Sequence, residues 1–348
     1  MGMRTIYALT DYKGYFGSKH NAVPYNSGMD KKLLVKYFLE FDIEVVFMLF
    51  SEVINYSNDF WRNKILIYTS SEDTGYYYKN FIEDIVYYLE LSDAVVIPPF
   101  KYLRANNNKV FMELLRNQIN NDNFHIRSKV FGCFEEAEKI SGVSNFPLVY
   151  KQAAGAMSEG VGSIKDQAGF NKKLKKLSRT SNLFRELWEY GRSIKYEGYI
   201  RESKYRNKFI IQDFIKGLNG DYKVLIFGDK FYVLQRHVKK GDFRASGSGI
   251  RNFVKEIPQG LLEYAYLCAK SLNVPNVSID IGYNGESFFL IEFQCLYFGS
   301  YTLTYSDLYW SKTGNDKFEL KEGKSVLEEE YVNSIVKYCI NNENVFFK

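Results

Sequence analysis

Histidine, cysteine and proline are scarce in this chain of 348 residues, which has three, four and six of them. His20, His125 and His237 lack zinc-ligand spacing, which argues against a histidine-based metal centre. Cys133, Cys268, Cys295 and Cys339 lie far apart with no C-x-x-C pair. Reduced thiols in a cytoplasmic setting are therefore expected, not a disulfide framework. No run of about 18 apolar residues occurs, so no membrane span is expected. The opening "MGMRTIYALTDYKG" lacks the apolar core and cleavage site of a secretory signal, and export is not expected.

What the chain has in quantity is aromatic: 29 Tyr and 28 Phe contribute most of a 17% share, which reads either as aromatic-lined substrate surfaces or as a lineage rich in Tyr, Asn and Lys. The net charge of +5 is unevenly placed, since residues 172–208 hold twelve Lys/Arg against four Asp/Glu, a local +8. The remainder is slightly acidic, unlike a general nucleic-acid binder, whose binding face is basic throughout. The basic segment reads either as a solvated helix face or as a landing strip for an anionic substrate.

The chain is long enough for two or three domains. Strand-like "RTIYALT" (4–10), "EVVFMLF" (44–50), "KILIYTS" (64–70) and "AVVIPP" (94–99) alternate with two helical patterns. The first, 31–41, carries Leu34, Phe38 and Phe41 at helical spacing; the second, 79–91, carries Phe81, Ile85 and Leu89. This alternation predicts a parallel, doubly wound sheet of Rossmann type over 1–104. Ligands of such sheets sit at strand C-termini, which makes Ser18, Lys19, Ser71 and Asp73 candidate substrate contacts. Helices are expected at 108–119, 134–140 and 258–272, and strands at 146–152, 208–215, 221–228, 230–238 and in a hairpin over 278–294. A closing helix is expected at 327–342. The division is 105–211 for a central α+β subdomain and 212–348 for a second one.

"FPLVYKQAAGAMSEGVGSI" (146–164) poses a chemical problem. Lys151 ends an apolar strand, where a lone ammonium is costly, and small residues with little to bury follow it. An anion that meets the lysine, with backbone approaching closely behind it, resolves both features. A P-loop would place the lysine after its glycines, and a dinucleotide fingerprint would need three glycines opening a helix, so neither motif applies.

Carboxylates form a second group. Glu292 and Gln294 are two apart on a strand and share a face. A two-residue Asn-Gly turn would put Asp280 on the opposite face, whereas a three-residue loop at 284–286 would make Glu292 its diagonal neighbour on the same face. Oxygen donors so placed suit Mg²⁺. Arg236 at a strand end and Arg244 among Gly and Ser supply guanidinium forks suited to phosphate.

In order, Lys109, Lys151 with its loop, "IIQDFI", Asp221, Arg236, "GDFR", Asp280 and Glu292-x-Gln294 resemble the ATP-grasp superfamily over roughly residues 105–300. The layout is similar to ribosomal-protein glutamate ligases and D-alanine–D-alanine ligases. The resemblance implies an α/β (α+β) ATP-grasp fold in which a Rossmann-like domain precedes two subdomains that enclose ATP. It implies that Lys109 and Lys151 hold phosphates, and that Gln212, Asp213 and Phe214 form the hinge reading adenine. Asp221 would take the ribose hydroxyls and Arg244 the phosphates. Asp280, Glu292 and Gln294 would carry two Mg²⁺ ions. Two departures stand out: Gln294 replaces the usual Asn, and Ser278 stands where several members have an arginine, a charge for which Arg236 is the candidate. Arg236, Arg244 and Lys151 would be the catalytic cations. The implied activity joins a carboxylate to an amine through an acyl phosphate, with an amino acid or an acidic carbohydrate as substrate. A small-molecule kinase and a nucleotide-binding module without turnover are the alternatives, and the sequence leaves a homodimer open.

Overall fold

In the computed structural model the described residues are 4–119, 124, 126–139, 146–155, 160–239, 244–245, 248–314 and 317–342. Among them three sheets form. The first uses β1 (Arg4–Thr10), α1 (Lys31–Leu39), β2 (Ile43–Leu49), α2 (Asn58–Trp61), β3 (Ile65–Tyr68), α3 (Tyr77–Leu91) and β4 (Val95–Ile97). Its strands run parallel in the order β2-β1-β3-β4. Side chains on β1 and β3 alternate between faces. Ile6, Ala8 and Ile67 join Leu34 and Phe38 of α1, while Leu9, Leu66 and Tyr68 meet Ile82, Ile85 and Leu89 of α3. The doubly wound expectation holds. Two details differ: α1 ends at Leu39, leaving Phe41 exposed, and Ile82 fills the α3 core position expected of Phe81, which is only half-buried.

Helices α4 (Phe100–Ala105) and α5 (Lys109–Arg116) lead to the second sheet. It comprises β5 (Ser128–Phe131), α6 (Phe134–Glu138), β6 (Leu148–Gln152), β7 (Val161–Ile164), α7 (Gln167–Ser178), α8 (Leu183–Lys195) and β8 (Phe209–Asp213). The strands pair antiparallel as β5-β8-β6-β7, and Phe170 and Leu174 of α7 cover one face. The basic segment is thus two helices, α7 and α8, and the loop leading into β8.

The third sheet is built from β9 (Gly220–Phe227), β10 (Lys230–His237), β11 (Arg251–Phe253), α9 (Leu261–Leu272), β12 (Asn276–Tyr283), β13 (Phe288–Gln294), α10 (Tyr301–Tyr305), β14 (Leu308–Thr313) and β15 (Lys317–Glu322). The order is β13-β12-β9-β10-β14-β15, with β11 beside β10. Helix α11 (Leu327–Asn341) returns to the first sheet, where Leu327 and Ile335 share a core with Ile6 and Leu34. This mixture of one parallel and two antiparallel sheets is the expected fold class.

The 278–294 hairpin corrects the turn expectation. Its loop has four residues, Asn284–Ser287, between the closing pair Tyr283 and Phe288. The Asn284 carboxamide oxygen accepts from the amides of Glu286 and Ser287, and Gly285 takes φ 98°, which suits glycine. A register shift between Asp280 and Ile281 leaves Ile291 as an extra residue on β13. Asp280 therefore stands directly opposite Glu292. The shared face was expected, but a bulge produces it, not the loop length.

Candidate active site

Between the second and third sheets lies a cleft of about 380 Å³, within the size range of small-molecule sites. Strand register explains its floor. On β9, Asp221 and Lys223 are two apart and face the same way. Asp221 pairs with Arg236 across to β10, and Lys223 pairs with Asp280, which in turn pairs with Glu292. Ser278 and Gln294 form the next rung. The roof comes from the second sheet and α5. Lys151 lies one residue before the end of β6, and Lys109 opens α5.

Every residue expected at the nucleotide and metal positions lines this cleft: Lys109, Lys151, Gln212, Asp213, Phe214, Asp221, Arg236, Arg244, Asp280, Glu292 and Gln294. Ile126, Val149, Leu218 and Ile291 give one region an apolar lining, next to the 212–215 backbone. Residues 156–159 of the small-residue loop and Gly241, Asp242 and Phe243 of "GDFR" fall outside the described residues.

The substrate candidates are placed elsewhere. Ser18 lines a separate cavity of about 40 Å³. Lys19 is held 2.7 Å from Glu328 of α11, whose side chain is fully buried. Ser71 donates to Asp73 at 2.6 Å. None of the four lines the cleft, and Lys19 already has a structural partner. Lys19→Ala should therefore cost about 2 kcal/mol of stability and leave Michaelis constants unchanged; a raised KM with an unaltered melting curve would restore it as a substrate contact.

The cleft's charges neutralise one another. Arg236 donates to both oxygens of Asp221, at 2.6 and 2.8 Å, and also lies 2.7 Å from Asp280. Lys223 donates to Ser278 at 2.6 Å and lies 3.5 Å from Asp280. Burial alone would raise the Asp280 carboxyl, but Arg236 and Lys223 together hold it below the carboxylate range. Asp221, also buried, has one shared guanidinium and the nearby Asp280 charge, so its carboxyl is raised. Lys223 is the site residue that sequence reasoning missed. Its signal was present as a lysine two positions after Asp221 on an otherwise apolar strand.

Lys109 donates to the Gly155 carbonyl at 2.8 Å and lies 3.7 Å from Glu292. Lys151 is buried, and that burial pushes its ammonium down to about 8; Glu113 and Glu292 offset only part of the effect. A bound anion would restore the charge. Binding of an anion at Lys151 near pH 8 should consequently take up roughly half a proton, and its affinity should weaken as pH rises further. Calorimetry in two buffers of different ionisation enthalpy measures the uptake, which Lys151→Met should remove.

The donors present fit a nucleotide with Mg²⁺. The Gln212 side-chain nitrogen is buried in the cleft lining with no hydrogen-bond partner, an orphan donor that a ligand acceptor would satisfy. Among the described residues no group of three or more His, Cys, Asp or Glu converges as a metal cage. Two carboxylates and an amide form an open set of hard oxygen donors instead, as suits an ion that completes its shell with phosphate and water.

Two sheets closing on a cationic, carboxylate-floored cleft define the class of fold. In its overall course the chain is similar to D-cycloserine synthetase DcsG (11% identity, TM-score 0.52), covering 95% of this chain and 99% of that one. It is equally similar to the ATP-grasp ligase PsnB solved with a minimal precursor (11%, TM-score 0.52, covering 97% and 99%). N5-carboxyaminoimidazole ribonucleotide synthetase, solved with ADP, is also similar (10%, TM-score 0.50, covering 88% and 74%). No family model and no curated protein sequence matches the chain. The fold is that of the ATP-grasp ligases.

Proposed function

We propose that the protein is an ATP- and Mg²⁺-dependent ligase joining a carboxylate to an amine. The supporting observation is the meeting of Lys109 and Lys151 from above with Asp280, Glu292 and Gln294 from below in one cleft. PsnB, similar in fold with a TM-score of 0.51, has been solved with Mg and ADP, which favours the same pair of ligands here. Lys109, Lys151, Arg236 and Arg244 would hold phosphates, with adenine beside residues 212–214. Asp280, Glu292 and Gln294 would hold Mg²⁺, which neutralises charge on the transferring phosphoryl group.

The chain's own part is positioning. Its cations would fix the phosphoryl group in line with a carboxylate, which becomes the acyl phosphate as ADP leaves. Attack by the amine forms the amide and releases phosphate. No residue of the 172–208 segment lines the cleft, so an amino acid is favoured over an acidic carbohydrate as the carboxylate.

The test is ³¹P NMR with Mg-ATP and a desalted metabolite extract, comparing the protein with Lys151→Ala. Extract-dependent ADP and free phosphate, lost in the variant, would support the ligase. A new phosphoester signal would mean a kinase, and nucleotide binding without any product would mean a binding module.

A further inference from the structure

Helix α8 is built inside out. Asn182 caps it by accepting from the Arg185 amide at 2.9 Å, and its inward face is polar. Glu186 accepts from Arg179 at 2.5 Å and from Lys204 at 2.7 Å. Glu189, 6% exposed, is the buried residue of the helix and accepts from the Tyr199 hydroxyl at 2.8 Å. The outward face carries Leu183, Phe184, Leu187, Trp188, Tyr190 and Ile194, with Phe184 79% and Ile194 70% exposed. At 3.6 residues per turn these positions sweep an arc of about 160°. A helix normally turns such an arc towards its own core. This one turns its ion-paired side towards the flanking residues Arg179, Tyr199 and Lys204 and presents its apolar side to solvent.

We propose that this face docks onto an anionic lipid surface. Three observations favour that occupant. Cations border the stripe: the Arg185 and Arg192 guanidiniums lie 4.3 and 4.7 Å from the Trp188 ring, and Lys195 lies within the arc. The surrounding segment, residues 172–208, carries a net +8. Of its four acids, Glu186, Glu189 and Glu202 are already engaged in pairs within it. A second copy would set like charge against like charge, with few acids left to offset it. The surface is also a convex helix, not a groove that would receive a peptide. Aliphatic and aromatic residues on one side with Arg and Lys beside them is the composition of helices that lie in a membrane interface. No helix among the described residues is long and apolar enough to cross a membrane, so the contact would be peripheral. This inference is independent of the ligase reading.

The test is co-sedimentation of the full chain with vesicles of phosphatidylcholine alone, and of phosphatidylcholine and phosphatidylglycerol in equal parts. Trp61 and Trp310 are buried, so a change in tryptophan emission reports on Trp188. Binding to the anionic vesicles only is expected, with a blue shift that Trp188→Phe removes. Leu187→Glu combined with Ile194→Glu should lower partitioning by roughly tenfold or more with no change in melting temperature, because both side chains are exposed. Failure to bind anionic vesicles would overturn the proposal, as would binding that survives the double substitution. Self-association abolished by that substitution would overturn it in favour of a second copy.

Discussion

Lys151→Met should lower the rate of ATP consumption by roughly 10²–10³-fold without lowering stability at pH 7. The two halves of this result have one cause. In the free protein the ammonium is buried with incomplete compensation, at a cost of roughly 3 kcal/mol when protonated, from its displacement to about 8. That cost is fully present below pH 8. It is relieved as pH rises from there towards the ordinary lysine range, where the unfolded chain still binds the proton. Methionine keeps the length of the side chain and removes the cost, so the melting temperature at neutral pH should stay level or rise. Turnover should collapse because the proposed role gives Lys151 the fixed charge that would face the transferring phosphoryl group. A melting temperature several degrees lower would show instead that Lys151 is a packed structural cation.

Arg116→Met should be the most damaging single change to the fold. Arg116 is fully buried, 3.2 Å from an equally buried Glu113. It donates to the Leu290 carbonyl, to Ile291 at 3.0 Å and to Phe124 at 3.2 Å. Its loss removes the ion-pair partner of buried Glu113, leaving only the more distant Lys151 charge, and leaves the carbonyls at the β13 bulge without their donor. A cost of about 3–5 kcal/mol is expected, lowering the melting temperature by on the order of 10 °C. Adding Glu113→Gln should recover part of it, since the stranded charge disappears. Additive losses in the double variant would mean that the carbonyl contacts alone carry the effect. Arg116 is also where fold and site meet, because the bulge it grips is what turns Glu292 towards Asp280.

Much of this was legible in the residues, for a physical reason in each case. Period-two apolar strands and period-3.6 helices specify which sides are buried, so β1, β3, α1 and α3 could be read directly, as could the antiparallel strands carrying Lys151, Asp221 and Arg236. The placement of Asp280 was harder. Which face it shares depends on whether one residue is extruded from a ladder, and a bulge at Ile291 leaves no pattern in a run as uniform as "FFLIEF". The Glu328 partner of Lys19 was not legible, because position at a strand end says where a loop is, not what else packs there, and Glu328 lies more than three hundred residues on. Helix α8 lay hidden in a segment read for its charge alone. Its apolar arc is regular, but a pattern reports only that a face exists, not which way it points.

The triangle of Arg236 with Asp221 and Asp280 has a consequence for the order of events. A divalent ion arriving alone at Asp280 would meet a carboxylate whose charge is already answered, and it would have to compete with a guanidinium left with Asp221 alone. A phosphate chain arriving with the ion offers that guanidinium a new anion, so one exchange makes the other cheap. Metal and nucleotide should enter as cooperating ligands, each raising the other's affinity by the same factor. A cleft so built would answer to the metal–nucleotide complex rather than to the concentration of either component.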